Sequence, residues 1–164
     1  MAINAKTEQL QIRVSRADKA AIRRAAAQAG LDASTYVLRR VLPPPAAEFQ
    51  RCTEACSGPE PRFALAELNA LLAQFSAGEL LTAVAEIPAA ELSDYFRNYV
   101  AAMVEHACAL RAVAVPGWVR AVKPLSEPVF GSELQSLRLH LLTQSPPAFR
   151  HRNIFIDSSV GERV

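Results

Sequence analysis

A mainly helical protein in two modules is predicted, with one short strand near the N-terminus, and three observations predict it. Apolar and polar residues alternate in "EQLQIRVS" and nowhere else for as long, which marks one half-buried strand. Beyond it, apolar residues recur at helical spacing almost to the C-terminus. Three consecutive prolines, Pro43, Pro44 and Pro45, interrupt that pattern and form a stiff polyproline spacer, so a small module, 1–45, is set apart from a larger helical one, 46–164.

In the strand Glu8 to Val14, residues Leu10, Ile12 and Val14 form an apolar face, while Gln9, Gln11 and Arg13 form a polar, hydrogen-bonding face. Ser15 with Asp18 forms a capping-box pattern that starts a helix running to about Ala29. Gly30 supplies a left-handed C-cap, and Asp32 caps a second helix whose apolar surface comes from Tyr36, Val37, Val41 and Leu42.

A lone strand leaves its backbone N–H and C=O groups unpaired, and a module of this size cannot bury enough surface to stand alone. A second copy solves both problems: two strands pair antiparallel, with Leu10, Ile12 and Val14 on the core side and Gln9, Gln11 and Arg13 outside. The strand "LQIRVS" followed by "AAAQAGLDASTYVLRRVL" resembles the ribbon-helix-helix superfamily, that of the MetJ and Arc repressors and TacA-type antitoxins. The resemblance implies a homodimer whose ribbon enters the major groove of operator DNA, with Gln9, Gln11 and Arg13 at the base-reading positions. Their chemistry suits the role, because glutamine pairs bidentately with adenine and arginine with guanine. It also implies a phosphate clamp by the backbone amides at the start of the second helix, around Ala33 and Ser34. Asp32 departs from that pattern by placing a carboxylate beside the clamp. The bland alternative is a dimerisation ribbon without DNA.

After the prolines, Ala46 to Cys56 reads as a helix, and "SGPEPR" as a loop forced by Gly58, Pro59 and Pro61. "FALAELNALLAQF" repeats Phe63, Leu65, Leu68, Leu71, Leu72 and Phe75 at helical spacing, as a largely buried helix does. Ser76 caps "AGELLTAVAEI", and Pro88 opens a long helix through Tyr95, Tyr99 and Met103 to Ala107. From Pro116, proline, glycine and tryptophan give the texture of an irregular arm, followed by an amphipathic helix from about Ser132 to Thr143.

Charge is uneven along the chain. Residues 1–45 hold eight Lys/Arg against three acids, a net +5, whereas 46–110 carry −6 and 111–164 carry +3. A basic module suits a polyanion, and an acidic helical stretch suits a different partner or is simply a solvated face. The N-terminus has no apolar leader and no stretch long enough to span a bilayer, so a soluble, cytoplasmic protein without membrane contact is expected. Cys52, Cys56 and Cys108 are an odd number and are expected as free thiols. Cys52 and Cys56 share a helical face, and His106 with Cys108 could complete four ligands, but the spacing matches no zinc finger or ribbon, and no metal or cofactor is expected. His140 lies between leucines, His151 lies in the basic "FRHRN", and no phosphate loop, nucleophile elbow or carboxylate pair occurs. No catalytic residue is assigned, and the chain is not expected to be an enzyme.

The C-terminal stretch, through "GWV" and "SLRLHLLTQSPPAFRHRNIF", is similar to the C-terminal half of small bacterial DNA-binding proteins often encoded beside a nucleotidyltransferase-like toxin. That resemblance implies an antitoxin whose first module represses its operon while the second binds the cognate toxin. The candidate anchors are Trp118, Phe130, Phe149, Arg150, Arg152 and Phe155, which could equally serve only to pack the arm. The alternatives are a repressor regulated by a small ligand or by oligomerisation without a toxin, and a DNA-organising partition protein.

Overall fold

The computed structural model describes Gln9 and residues 11–157, and the chain divides into two compact units, Met1–Pro43 and Pro44–Val164. In the first unit, helix α1 (Arg16–Gln28) starts on a reciprocal box. The Ser15 hydroxyl accepts from the Asp18 amide at 3.1 Å, and the Asp18 carboxylate accepts from the Ser15 amide at 3.3 Å. The helix ends where Gly30 takes a φ of +66°, with the Leu31 amide donating to the Ala26 carbonyl and the Gly30 amide to that of Ala27. Both bonds require a left-handed residue, which glycine supplies without a Cβ clash. Helix α2 (Ala33–Val41) is capped by Asp32, whose carboxylate accepts from the Thr35 amide at 3.0 Å and the Thr35 hydroxyl at 2.6 Å.

Of the expected strand, Glu8 and Leu10 lie outside the described residues. Gln9 and residues 11–15 form no hydrogen-bonded ladder within one chain. Ala26 is the one buried residue among the described positions of this unit, so its two helices enclose almost no core.

The second unit corrects several expectations. Pro45 does not extend the spacer; it opens α3 (Pro45–Ala55), and Pro61 likewise opens α4 (Pro61–Gln74) rather than prolonging a loop. Both sit in the first turn, where the missing N–H would have no partner anyway. In α4 only one face is buried, through Ala64, Leu68 and Leu72, while Phe63 points outward. Ser76 caps α5 (Ala77–Ala83) as expected, in a box with Glu79, but that helix stops at Ala83 instead of reaching Ile87.

Pro88 does not begin the long helix. Residues 84–93 form a connection held by Gln50, whose side-chain amide donates to the Ile87 carbonyl at 3.2 Å and whose oxygen accepts from the Ala89 amide at 2.8 Å. Helix α6 (Asp94–Leu110) starts instead on Ser93, with Asp94 in its first turn, because a hydroxyl cap satisfies a helix-end donor that proline cannot. This helix is the centre of the unit and buries an almost continuous run from Asn98 to Val104, then Ala107 and Cys108. Just past its end, Arg111 donates to the carbonyls of Phe75, Leu72 and Ala73, each at 2.8 Å, and so satisfies the C-terminus of α4.

The all-helical second domain with an irregular arm is corrected by two short strands. α7 (Gly117–Ala121), β1 (Val129–Phe130), a 3-10 turn at Gln135–Leu137, α8 (Arg138–Gln144), α9 (Pro147–Arg150) and β2 (Ile154–Phe155) follow in order. β1 and β2 run parallel, with Val129 opposite Ile154 and Phe130 opposite Phe155. Residues 135–144 are helical, so the helix expected from Ser132 begins late; the Ser132 hydroxyl accepts from the Leu134 amide at 3.2 Å, a local bond that competes with helix. The arm packs back onto α6 through α7 and α9, and Val119 and Ile154 join Phe49, Leu68, Leu80, Val100 and Val104 in the fully buried core.

Candidate nucleic-acid interface

The first unit places the sequence-predicted DNA contacts on its surface. Gln9, Gln11 and Arg13 are all exposed, just before the box that begins α1. Ala33 and Ser34 are the first two residues of α2, so their amides belong to the unsatisfied N-terminal set that favours an anion. The Asp32 carboxylate stands at the same end, held by its two bonds to Thr35.

The apolar side of this segment is uncovered in a single chain. Ile12 is 61 % and Val14 48 % exposed, and at the other end of the unit Val41 is 72 % and Leu42 57 % exposed. An isolated surface valine or isoleucine is ordinary, but among the described residues this unit exposes Ile12, Val14, Leu38, Val41 and Leu42, half-buries Ile22, Leu31 and Val37, and fully buries only an alanine. Basic residues share the surface: Arg16, Lys19, Arg23 and Arg24 are exposed on α1, and Arg40 lies 5.6 Å above the Tyr36 ring on α2.

The six residues assigned from sequence as partner anchors fall into two groups. Phe149 and Arg152 are each only 5 % exposed. Phe149 meets Tyr99 edge to face at 5.2 Å, and Arg152 donates to the Val119 carbonyl at 2.8 Å and to the Glu105 carboxylate at 3.1 Å. These two side chains join the arm to α6. Trp118 is half-buried and donates its indole N–H to the Val84 carbonyl at 2.9 Å. Phe130 and Phe155 stack at 5.1 Å across the small sheet, each partly exposed, and Arg150 is exposed. Sequence reasoning missed an exposed row of leucines, Leu134, Leu137, Leu139 and Leu142, leading into and along α8.

The cysteines are packing residues. Cys52, Cys56 and Cys108 are free and buried, and burial raises all three thiol pKa values, that of Cys56 to about 11. Among the described residues, no group of three or more His, Cys, Asp or Glu side chains lies close enough to hold a metal ion. His140 pairs with Asp157 at 3.2 Å, and His151 faces Glu105 at 3.8 Å. No helix of the described residues is long and apolar enough to cross a membrane.

Comparison with known proteins adds one match. Residues 4–48 are similar to the NikA-like family, described as mobilization protein NikA, a ribbon-helix-helix DNA-binding protein. The match spans the first unit and reaches the first turn of α3, and it agrees with the superfamily that "LQIRVS" and the Gly30 turn resemble. No curated protein and no solved structure matches the chain significantly.

Proposed function

We propose that this chain is a non-enzymatic, dimeric DNA-binding protein. Two copies pair their segments around Ile12 into an antiparallel ribbon, and Gln9, Gln11 and Arg13 from both copies read bases in one major groove. The observation that carries this reading is the similarity of residues 4–48 to a ribbon-helix-helix DNA-binding family. It is supported by a unit that exposes Ile12, Val14, Val41 and Leu42 and encloses almost no core, since a second copy would cover that surface. The amides of Ala33 and Ser34 would hold a phosphate at the end of α2, which fixes position without reading sequence.

The DNA site of one dimer is palindromic, as its two-fold symmetry requires, and is repeated where several dimers bind side by side. The description of the matched family favours a site connected with mobilization over a promoter operator; a site in the chain's own promoter would instead favour repression. A second reading adds toxin neutralisation by residues 46–164. It is favoured by the likeness of "SLRLHLLTQSPPAFRHRNIF" to antitoxin C-termini and by the uncovered leucine row on that same segment. On that reading Phe130, Arg150, Phe155 and Leu139 are surface anchors, while Trp118, Phe149 and Arg152 hold the arm in place. Co-purification with the product of the neighbouring gene tests it.

The DNA reading is tested by selecting bound fragments from genomic DNA with the full-length protein and measuring their affinity by fluorescence anisotropy at fixed salt. Each of Gln9→Ala, Gln11→Ala and Arg13→Ala is expected to lose about 1–3 kcal/mol and to relax preference at its own base pair. If the triple variant bound the selected site as well as the unaltered protein, those residues would not be the readers.

A further inference from the structure

The second unit contains a groove of about 760 Å³, within the roughly 300–1,000 Å³ range of small-molecule sites. One wall is a single face of α4, through Arg62, Leu65, Ala66 and Asn69, and the facing wall is a single face of α6, through Tyr95, Tyr99 and Met103. Phe130, Leu141 and Phe149 close it from the arm side. The lining is therefore aromatic and apolar with a few polar tips, which is the make-up of a ligand site.

Two features give the polar tips a direction. Tyr99 is 91 % buried and lines the groove, where its hydroxyl is left accessible to an occupant rather than sealed in the core. Burial also keeps that hydroxyl protonated, with its pKa pushed up to about 12, so it is available as a donor. The second feature is charge. Burial raises the pKa of Tyr95 and the exposed Arg62 at the mouth, close enough to act on it, only partly opposes that, while Arg138 lies 5.0 Å above the Phe130 ring. The acid on the lining, Asp157, is engaged with His140 at 3.2 Å.

We infer that this groove binds a small aromatic carboxylate, its ring lying among Tyr95, Tyr99, Met103 and Phe149 and its carboxylate accepting from Tyr99 and facing Arg62. A flat ring suits the tilted Tyr95–Tyr99 pair, whose centroids are 5.8 Å apart, and the edge-to-face Tyr99–Phe149 pair at 5.2 Å. This site is independent of the DNA-binding reading and lies wholly within residues 62–157.

The test is isothermal titration of the full-length protein with 2-naphthoate and with its uncharged analogue 2-naphthamide. One naphthoate per chain is expected, binding about fivefold tighter than the amide, the factor that a solvent-exposed ion pair supplies. Tyr99→Phe keeps the ring and should weaken naphthoate about tenfold, as loss of a charge-assisted hydrogen bond does. Arg62→Gln should narrow the gap between the two probes by weakening naphthoate and leaving naphthamide unchanged, and Ala66→Phe should fill the groove and abolish both. Trp118 emission checks that each variant is folded, and the first two variants decide the matter even where Ala66→Phe perturbs the fold. Absence of saturable one-to-one naphthoate binding would overturn the inference, as would unchanged binding by both Tyr99→Phe and Arg62→Gln.

Discussion

Arg152→Met is the substitution that weighs packing against partner binding for the C-terminal arm. The guanidinium is 6 % exposed and donates to the Val119 carbonyl at 2.8 Å, the Val122 carbonyl at 3.3 Å and the Glu105 carboxylate at 3.1 Å. Methionine keeps the apolar stem but leaves two carbonyls and a partly buried carboxylate without their donor. Breaking a buried ion pair on one side costs about 3–5 kcal/mol. The figure here belongs at the lower end, because Glu105 keeps 28 % of its side-chain exposure and His151 stands 3.8 Å away. Arg152 Nε also has no partner among the described residues, so its removal returns part of the loss. The expected net destabilisation is about 2–3 kcal/mol, or roughly 10 °C in the unfolding midpoint of a unit this size. Urea unfolding followed by Trp118 fluorescence is the assay, since that residue is the only tryptophan and lies on α7, the helix that Arg152 holds. A change under about 0.5 kcal/mol, typical of a neutral surface substitution, would refute the packing role and return Arg152 to the list of partner anchors.

Further outcomes follow from the helix ends. Ser76→Ala should cost about 1 kcal/mol through loss of the box with Glu79, seen as a lower urea midpoint. The hydroxyl and amide of Ser76 lower the Glu79 pKa, so the carboxylate's share of this stabilisation is present above the ordinary carboxylate pKa and fades as pH falls through the lowered one; the difference between the two proteins should shrink in acid to that of the hydroxyl cap on the Glu79 amide. Ala112→Gly should stabilise by roughly 0.5–1 kcal/mol, because Ala112 ends α6 at a φ of +52°, where a Cβ is penalised, and thermal unfolding reads it. Asp32→Asn keeps a good cap but removes the carboxylate beside the Ala33 and Ser34 amides, so DNA affinity by anisotropy should rise while the fold is unchanged.

The elements legible in the sequence are those whose signals lie within a few residues of one another. Ser15 with Asp18, Gly30, Asp32 and Ser76 each mark a helix end through a bond spanning three or four residues, and each does so in the structure. Where two local signals compete, the sequence misleads: Pro88 has the look of a helix start that Ser93 provides, and Pro45 and Pro61 have the look of breaks where they open helices. What the sequence hides is non-local. The parallel pairing of Val129–Phe130 with Ile154–Phe155 is too short to show alternation, and the burial of Arg152 depends on Glu105, 47 positions away. A charged residue in "FRHRN" reads as surface until that partner is known. The groove was invisible for the same reason, since it needs α4, α6 and the arm brought together. In the first unit Gln9, Gln11 and Arg13 are exposed, but so are Ile12 and Val14, so a single chain does not separate a reading face from a packing face.

Sedimentation equilibrium of the full-length protein at micromolar concentration tests that ribbon most directly. Two copies of the 17.8 kDa chain are expected to sediment as one dimer, and Ile12→Lys, which puts a charge on the uncovered apolar side, should return it to monomer and remove DNA binding together. A monomeric native protein that still binds its DNA site, or an Ile12→Lys dimer as tight as the unaltered one, would contradict the account.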